Sequence, residues 1–428
     1  MKEFIYLSIS GVLIIGLSSA FAGAIGPEGT ILPVSYGLKH VINPEGGQTS
    51  GPAVQLDSDR RLHLIWYGEQ KGDRNVLYLS TDLTAKNFPA PHGINPSDKQ
   101  AASLHEPPAV ALGPNKEVYV TWTTPHPNAN GRLFTSLLLL SRSIDEGKTF
   151  LPPIRVNDDK AVTGHSFDHL TVSPDGSVHI AWLDSREGKK DPATYASYSQ
   201  DQGQTLSPNL KIDEPSCVCC RTHTTAAPDG TLYLAWRKIF PGGVRETVVS
   251  RSADNGTSFS SPVIVGHDQW VYEGCPHRPA TMGVDKKGRL YVSWYTEGPD
   301  DIPGVYLAYS DDQGRTFTPR RQLNISKGTF PDHPQLAVNH EGHLLMTWEE
   351  QSPVRREVVF SYSLDRGKTF SSPKKLNEKK AKSPAVALND QGQAVITWLE
   401  QVAFPEWSTV VQTLSLSHAQ TASLTPEP

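Results

Sequence analysis

The sequence predicts an all-β fold, a seven-bladed β-propeller of four-stranded antiparallel blades, and three observations predict it. The chain has 428 residues with 37% hydrophobic content, 34 glycines and 34 prolines, a turn-rich mix that suits strands better than helices. A short alternating strand ending in tryptophan recurs seven times. A glycine-containing turn motif recurs between the same repeats.

The tryptophan strands are "RLHLIW" (Trp66), "EVYVTW" (Trp122), "SVHIAW" (Trp182), "TLYLAW" (Trp236), "RLYVSW" (Trp294), "HLLMTW" (Trp348) and "QAVITW" (Trp398), spaced 56, 60, 54, 58, 54 and 50 residues apart. Each follows a short strand such as "PAVAL" and a turn such as "SPDG". Each precedes a longer loop, a third strand such as "VYLAYS" and a fourth such as "RRQLN". Alternation bounded by Gly, Asn, Asp and Pro marks strands and hairpins. Four strands repeated seven times close into a ring, because one unit cannot bury both faces alone. The last unit ends at its third strand, "TVVQTLSLS", so the N-terminal "PVSYGLKHVI" is expected to supply its outer strand. Six blades is the alternative count.

At the N-terminus, "MKEFIYLSISGVLIIGLSSAFAGA" has a lysine, an apolar stretch and the small-x-small pattern Ala20-Phe21-Ala22. Residues 1–22 read as a secretory signal peptide, with residues 23–428 as a single domain and no stable membrane span after cleavage. The expected location is exported, periplasmic or secreted, where cysteine pairing is chemically allowed. A formal charge of −5 and the lack of a basic run exclude nucleic acid as a partner class.

The turn motif reads "SIDEGKTF" (143–150), "SQDQGQTL" (199–206), "SADNGTSF" (252–259), "SDDQGRTF" (310–317) and "SLDRGKTF" (363–370), with a decayed copy "STDLTAKNF" (80–88). Glycine allows a left-handed turn residue, Asp and Ser cap the turn, and the aromatic residue packs beneath it. This S-x-D-x-G-x-T-F pattern resembles the Asp-box, or BNR repeat, of the sialidase superfamily. The resemblance implies Asp-boxes on the face opposite the ligand. It also implies a ligand mouth built from the starts of the inner strands and the loops after each tryptophan.

Counting back from each tryptophan aligns residues at that mouth. Seventeen before lie Thr49, His105, His165, Cys219, His277, Pro331 and Ala381; nineteen before, Cys217 and Cys275 share a register on neighbouring blades. His169 and His223 share the position thirteen before, and "FPDHPQ" adds Asp332 and His333. Three of the four cysteines crowd into "EPSCVCCRTHTT" as Cys217, Cys219 and Cys220, and Cys275 sits in "GCPHRPA".

Three readings of this mouth compete. Thiolate and imidazole suit copper or zinc, so His105, His165, Cys217, Cys219, Cys220, His223, Cys275, His277 and His333 are candidate metal ligands, with copper favoured over zinc. The plain alternative is histidines that hydrogen-bond between blade loops. The second reading is a sialidase-type glycoside hydrolase or glycan-binding protein. Family members use an arginine clamp on the substrate carboxylate and a Tyr–Glu nucleophile pair. The residue types are present as Arg221, Arg237, Arg278, Tyr295 and Glu297, but the F/Y-R-I-P signature is absent and "WRKIFPG" is its nearest string. The third reading is a disulfide-stapled scaffold that binds a protein, with three connectivities open to four cysteines. "CVCCRTH" and "GCPHRP" resemble motifs of an exported, cysteine-containing Asp-box branch often labelled exo-alpha-sialidase. The expected occupant of the mouth is therefore a metal ion or a glycan or other small molecule.

Overall fold

A computed structural model describes residues 34–42, 49–70, 73–102, 106–274, 276–324 and 328–416. The expected signal peptide lies outside the described residues, as do His105 and Cys275. Among the described residues no helix is long and apolar enough to cross a membrane.

Seven antiparallel sheets form the ring, each entered by an inner strand and each with its tryptophan on the second strand. Blade three is typical: His165–Val172, Val178–Asp184, Ala193–Ser199 and Leu210–Asp213. The inner strands of blades one, two, four, five and six are Ala53–Leu56, Ala109–Leu112, His223–Ala226, Thr281–Val284 and Phe330–Val338. Blade seven is built from Ala381–Leu388, Gln393–Ala403 and Glu406–Leu416, completed by Val34–Ile42 from the other end of the chain. That strand pairs antiparallel with Glu406–Leu416, Ile42 opposite Thr409. The expected closure is thus present, and the count is seven. Blade four carries an addition that the repeat pattern did not announce: Trp270–Val271 pairs with Val244–Arg245.

The seven repeat tryptophans are all at most 1% exposed and sit between neighbouring sheets. Most satisfy the indole N–H on a carboxylate, as in Trp294 to Asp268 and Trp348 to Glu350, both 2.7 Å. Burying so large a ring with its one donor paired avoids the penalty of an orphaned polar group.

The Asp-boxes lie on the turns between third and fourth strands. In blade two, Ser143 Oγ donates to Asp145 (2.7 Å) and accepts from Gly147 N–H (2.8 Å), while Asp145 accepts from Thr149 N–H (2.9 Å) and its hydroxyl (2.6 Å). The same network recurs around Asp201, Asp312 and Asp365. Hydrogen bonds to the ionised form hold Asp145, Asp201 and Asp312 at about 2, below the usual carboxylate range. Each box also rests on the preceding blade: a β-carbon on Gly203 would touch Tyr119, and one on Gly314 would touch Tyr233. At Gly147, with φ +84, it would overlap the Tyr78 hydroxyl. Gly147→Ala therefore combines left-handed strain with overpacking and is expected to cost about 2–4 kcal/mol, read as a lowered denaturation midpoint. An unchanged midpoint would remove the box from the blade-to-blade packing.

Candidate functional site

The inner strands begin on the face opposite the Asp-boxes, and their first turns are irregular. Blades three, six and seven carry a bulge there, with Phe167, His333 and Ser383 at φ +57, +47 and +54. Residues with the same offset from tryptophan therefore do not share a direction, and the aligned Cys/His set separates into distinct groups.

The cysteines come together. Cys217, Cys219 and Cys220 occupy the turn entering blade four, at 0%, 3% and 1% exposure, and their three Sγ atoms all lie within 4.8 Å of one another. Cys217 N–H donates to Arg237 O (2.8 Å), which seats the turn on the second strand. Phe167 and Ile239 pack against the thiols. The Cys217 and Cys220 sulfurs are 3.3 Å apart, and no disulfide joins the three described cysteines. Arg245 Nη1 donates to Cys217 Sγ at 2.7 Å, while its other nitrogens donate to Tyr272 O (2.9 Å) and Gly274 O (3.1 Å). Hydrogen bonds from the Cys219 and Cys220 thiols, with the charges of Arg237 and Arg245, lower the Cys217 pKa against burial. Cys219 and Cys220 are raised, the first chiefly by its bond to Cys217 and the second chiefly by burial. The group thus concentrates negative charge on Cys217 beside two guanidinium groups.

The histidines go elsewhere. His165 is fully buried, its Nδ1 donating to Ser136 O (2.6 Å) and its Nε2 facing Asp159 (2.9 Å). Asp159, His165 and Asp184 have metal-ligand spacing, but Arg186 already places its guanidinium 2.8 Å from Asp184 and 3.2 Å from Asp159. His223 stacks on His169 at 4.0 Å, and burial with the nearby Arg221 pushes His223 down to about 3, leaving it neutral. His277 stands at φ +52, half exposed, with Nδ1 3.9 Å from Glu106.

His333 joins a carboxylate cluster. Its Nδ1 lies 3.3 Å from both Asp332 and Glu349, and Arg356 holds the other Glu349 oxygen at 2.8 Å. Burial would lower the His333 pKa, but the Glu349 bond and the Asp332 charge outweigh it and raise it to about 9. Burial would raise Glu349, but His333 and Arg356 bring it to about 2. The imidazolium contribution to stability is complete below the unfolded value of 6.5 and is lost as pH rises through about 9. Urea stability is therefore expected to decline across that window, and His333→Gln to flatten the decline. An equal decline in the variant would assign it to another group.

Of the hydrolase candidates, Arg278, Tyr295 and Glu297 meet. Tyr295 Oη donates to Glu297 (2.6 Å), Arg278 lies 4.1 Å over the Tyr295 ring, and Arg278 Nε donates to Asp332 (2.8 Å). Tyr295 is 1% exposed, and burial followed by the Glu297 bond raises its pKa. Arg237 is buried alongside, Nη2 donating to Tyr295 O (2.7 Å), with its guanidinium 4.9 Å from the Trp270 ring. Arg221 is separate, its Nε donating to Asp168 O, while Asp168 accepts from Thr121 Oγ1 (2.5 Å). Sequence reasoning missed Arg245, Arg356, Glu106 and Asp168. None falls in the tryptophan register that revealed the others, and Arg245 reaches the thiols from the third strand of its blade.

A tryptophan-register propeller with Asp-boxes on one face and a polar, thiol-bearing mouth on the other is a sialidase-like BNR propeller. Residues 185–401, half of the chain, match the BNR repeat-like domain family, and the chain belongs to it. Among curated proteins nothing matches. Many solved structures share the fold, among them three that cover most of the chain. A protein of unknown function from Dyadobacter fermentans DSM 18053 is 15% identical (TM-score 0.52; 87% of this chain and 100% of that one). The polysaccharide lyase Uly1 is 13% identical (TM-score 0.55; 94% of each). A PL25 ulvan lyase solved bound to -[GlcA(1-4)Rha3S]- is 8% identical (TM-score 0.56; 84% and 93%). At these identities the likeness is one of fold alone.

Proposed function

We propose that the chain is an exported metal-binding propeller that holds one copper(I) ion on Cys217, Cys219 and Cys220. The observation that carries this reading is the buried thiol triplet, whose sulfurs lie within 4.8 Å of one another with no histidine nitrogen or carboxylate oxygen joining them among the described residues. An all-sulfur donor set selects soft ions. Structural zinc is almost always four-coordinate, which the three sulfurs of the described residues do not complete. Three thiolates around a monovalent ion leave a net charge of minus two, which Arg237 and Arg245 offset. The set of candidate ligands narrows accordingly: His165 has both ring nitrogens engaged, and His333 is committed to carboxylates.

The test is copper(I) titration of the reduced chain under anaerobic conditions, followed by elemental analysis after desalting. One equivalent of copper with three thiols newly protected from alkylation supports the reading. No retained copper, with the same thiols freely alkylated, refutes it.

A second reading has its own observation. Arg278, Asp332, Glu349, Arg356 and His333 form a charged constellation at the mouth, and two neighbours in fold are polysaccharide lyases. It supports binding of an acidic glycan there. Tyr295 is 1% exposed, and that burial argues against its phenol reaching a glycan as a hydrolytic nucleophile. Acidic oligosaccharides that bind the metal-free chain and fail to bind Arg278→Ala would support it; equal binding by the variant would not.

A further inference from the structure

Exposed apolar side chains are not spread evenly over the ring. Among the described residues fourteen large hydrophobic side chains are exposed, and nine of them lie in the loops and strand ends of the mouth face. The most prominent are Leu133 and Phe134 in blade two, Val354 in blade six and Phe404 in blade seven, at 79%, 89%, 77% and 91% exposure. All four stand on the connection between second and third strands. Around a closed ring, blade six adjoins blade seven, and blade one lies between blades seven and two, so these tips stand on the side of the rim that runs from blade six through blade one to blade two.

Nothing in the fold requires them. Phe134 holds φ +58 and Asn130 φ +46, a backbone conformation that costs energy for residues other than glycine. A phenylalanine that is both strained and 89% exposed gains nothing from the packing of its own chain. The tips are also flanked by cations. Arg132 precedes Leu133, Arg355 follows Val354, and Lys379 donates to Val402 O in the Phe404 loop (3.5 Å), with Lys380 beside it. Against these four exposed cations the same loops set Glu378 and Glu406. The blade five tip differs, because Ile302 follows Asp300 and Asp301.

We propose that this sector of the mouth face docks on an anionic phospholipid bilayer. Separate apolar tips, one or two residues to a loop, do not make the contiguous, shape-matched patch that a protein partner needs. A fluid interface accepts each tip independently, and adjacent Lys and Arg side chains meet the lipid phosphates. Docking by this side tilts the ring and leaves the opposite rim, at blade four, in water, while Asp300 and Asp301 of blade five mark the edge of the docking side. The inference stands apart from the copper reading, since none of these residues touches the thiols.

The test is vesicle co-flotation of the exported chain, with phosphatidylglycerol–phosphatidylethanolamine vesicles compared with phosphatidylcholine vesicles. Binding is expected on the anionic vesicles and is expected to weaken as salt rises. Phe134→Ser combined with Phe404→Ser is expected to weaken it roughly tenfold or more, the scale of losing the burial of a large side chain. Lys379→Glu with Lys380→Glu should abolish the preference for anionic lipid. The unchanged thermal midpoint of these surface variants confirms that they fold. No binding to anionic vesicles overturns the proposal, as does equal binding by the Phe variants. Self-association that the Phe variants abolish, without vesicle binding, would instead make a second copy the occupant.

Discussion

Cys219→Ser is expected to lower copper(I) affinity on the order of a hundredfold. A structural metal site gains roughly 10–16 kcal/mol from about four ligands, so one thiolate contributes about 3 kcal/mol, or on the order of a hundredfold. Serine keeps the size of the side chain but replaces a soft sulfur with a hard, protonated oxygen. Cys219 is the informative position because Cys217 also anchors Arg245 and Cys220 is the more deeply enclosed, so their loss would disturb packing as well. The measurement is competition against a colorimetric copper(I) chelator. His223→Ala and His333→Ala should leave the affinity unchanged, since the first imidazole stacks on His169 and the second pairs with Glu349. An affinity that survives Cys219→Ser but falls in either histidine variant would move the metal from the thiol turn into the histidine groups.

Arg245→Met is expected to destabilise the chain by about 3–5 kcal/mol, the cost of removing one partner from a buried charged pair. The guanidinium makes three hydrogen bonds, to Cys217 Sγ, Tyr272 O and Gly274 O, and the residue is 8% exposed. Methionine fills much of the volume but donates nothing, so a thiolate and two carbonyls lose their partner. Arg245→Lys restores the charge without the planar fork and should recover only part of the loss. Urea denaturation under reducing conditions reads both variants. A midpoint unchanged in Arg245→Met would mean that the turn and the Trp270–Gly274 segment are held by other contacts. It would also withdraw the charge compensation assigned to Arg245 at the copper site.

Much of the architecture was written in local pattern. The spacing of Trp66, Trp122, Trp182, Trp236, Trp294, Trp348 and Trp398 defined the blades, because each repeat must bury one large ring against the next sheet. The Asp-box strings defined the turns, because Ser, Asp and Gly at those offsets satisfy a single hydrogen-bond network. Strand closure followed from a missing fourth strand and an unassigned N-terminal one. The gathering of the three cysteines was legible for the same reason, being local to one turn.

The site beyond that turn was decided only by tertiary structure. A shared offset from tryptophan placed His165, Cys219 and His277 at the same height, but bulges with left-handed residues redirected the side chains, and each histidine took the nearest carboxylate or carbonyl. Arg245 lies outside the register altogether, and only the pairing of its strand with Trp270–Val271 brings it over Cys217. Sequence by itself determined the ring, its closure and the clustered thiols, because periodic burial and turn chemistry act over a few residues. Tertiary structure alone decided which charges face those thiols and which histidines stay apart from them, because such contacts join residues far apart in sequence that only strand pairing and blade packing make neighbours.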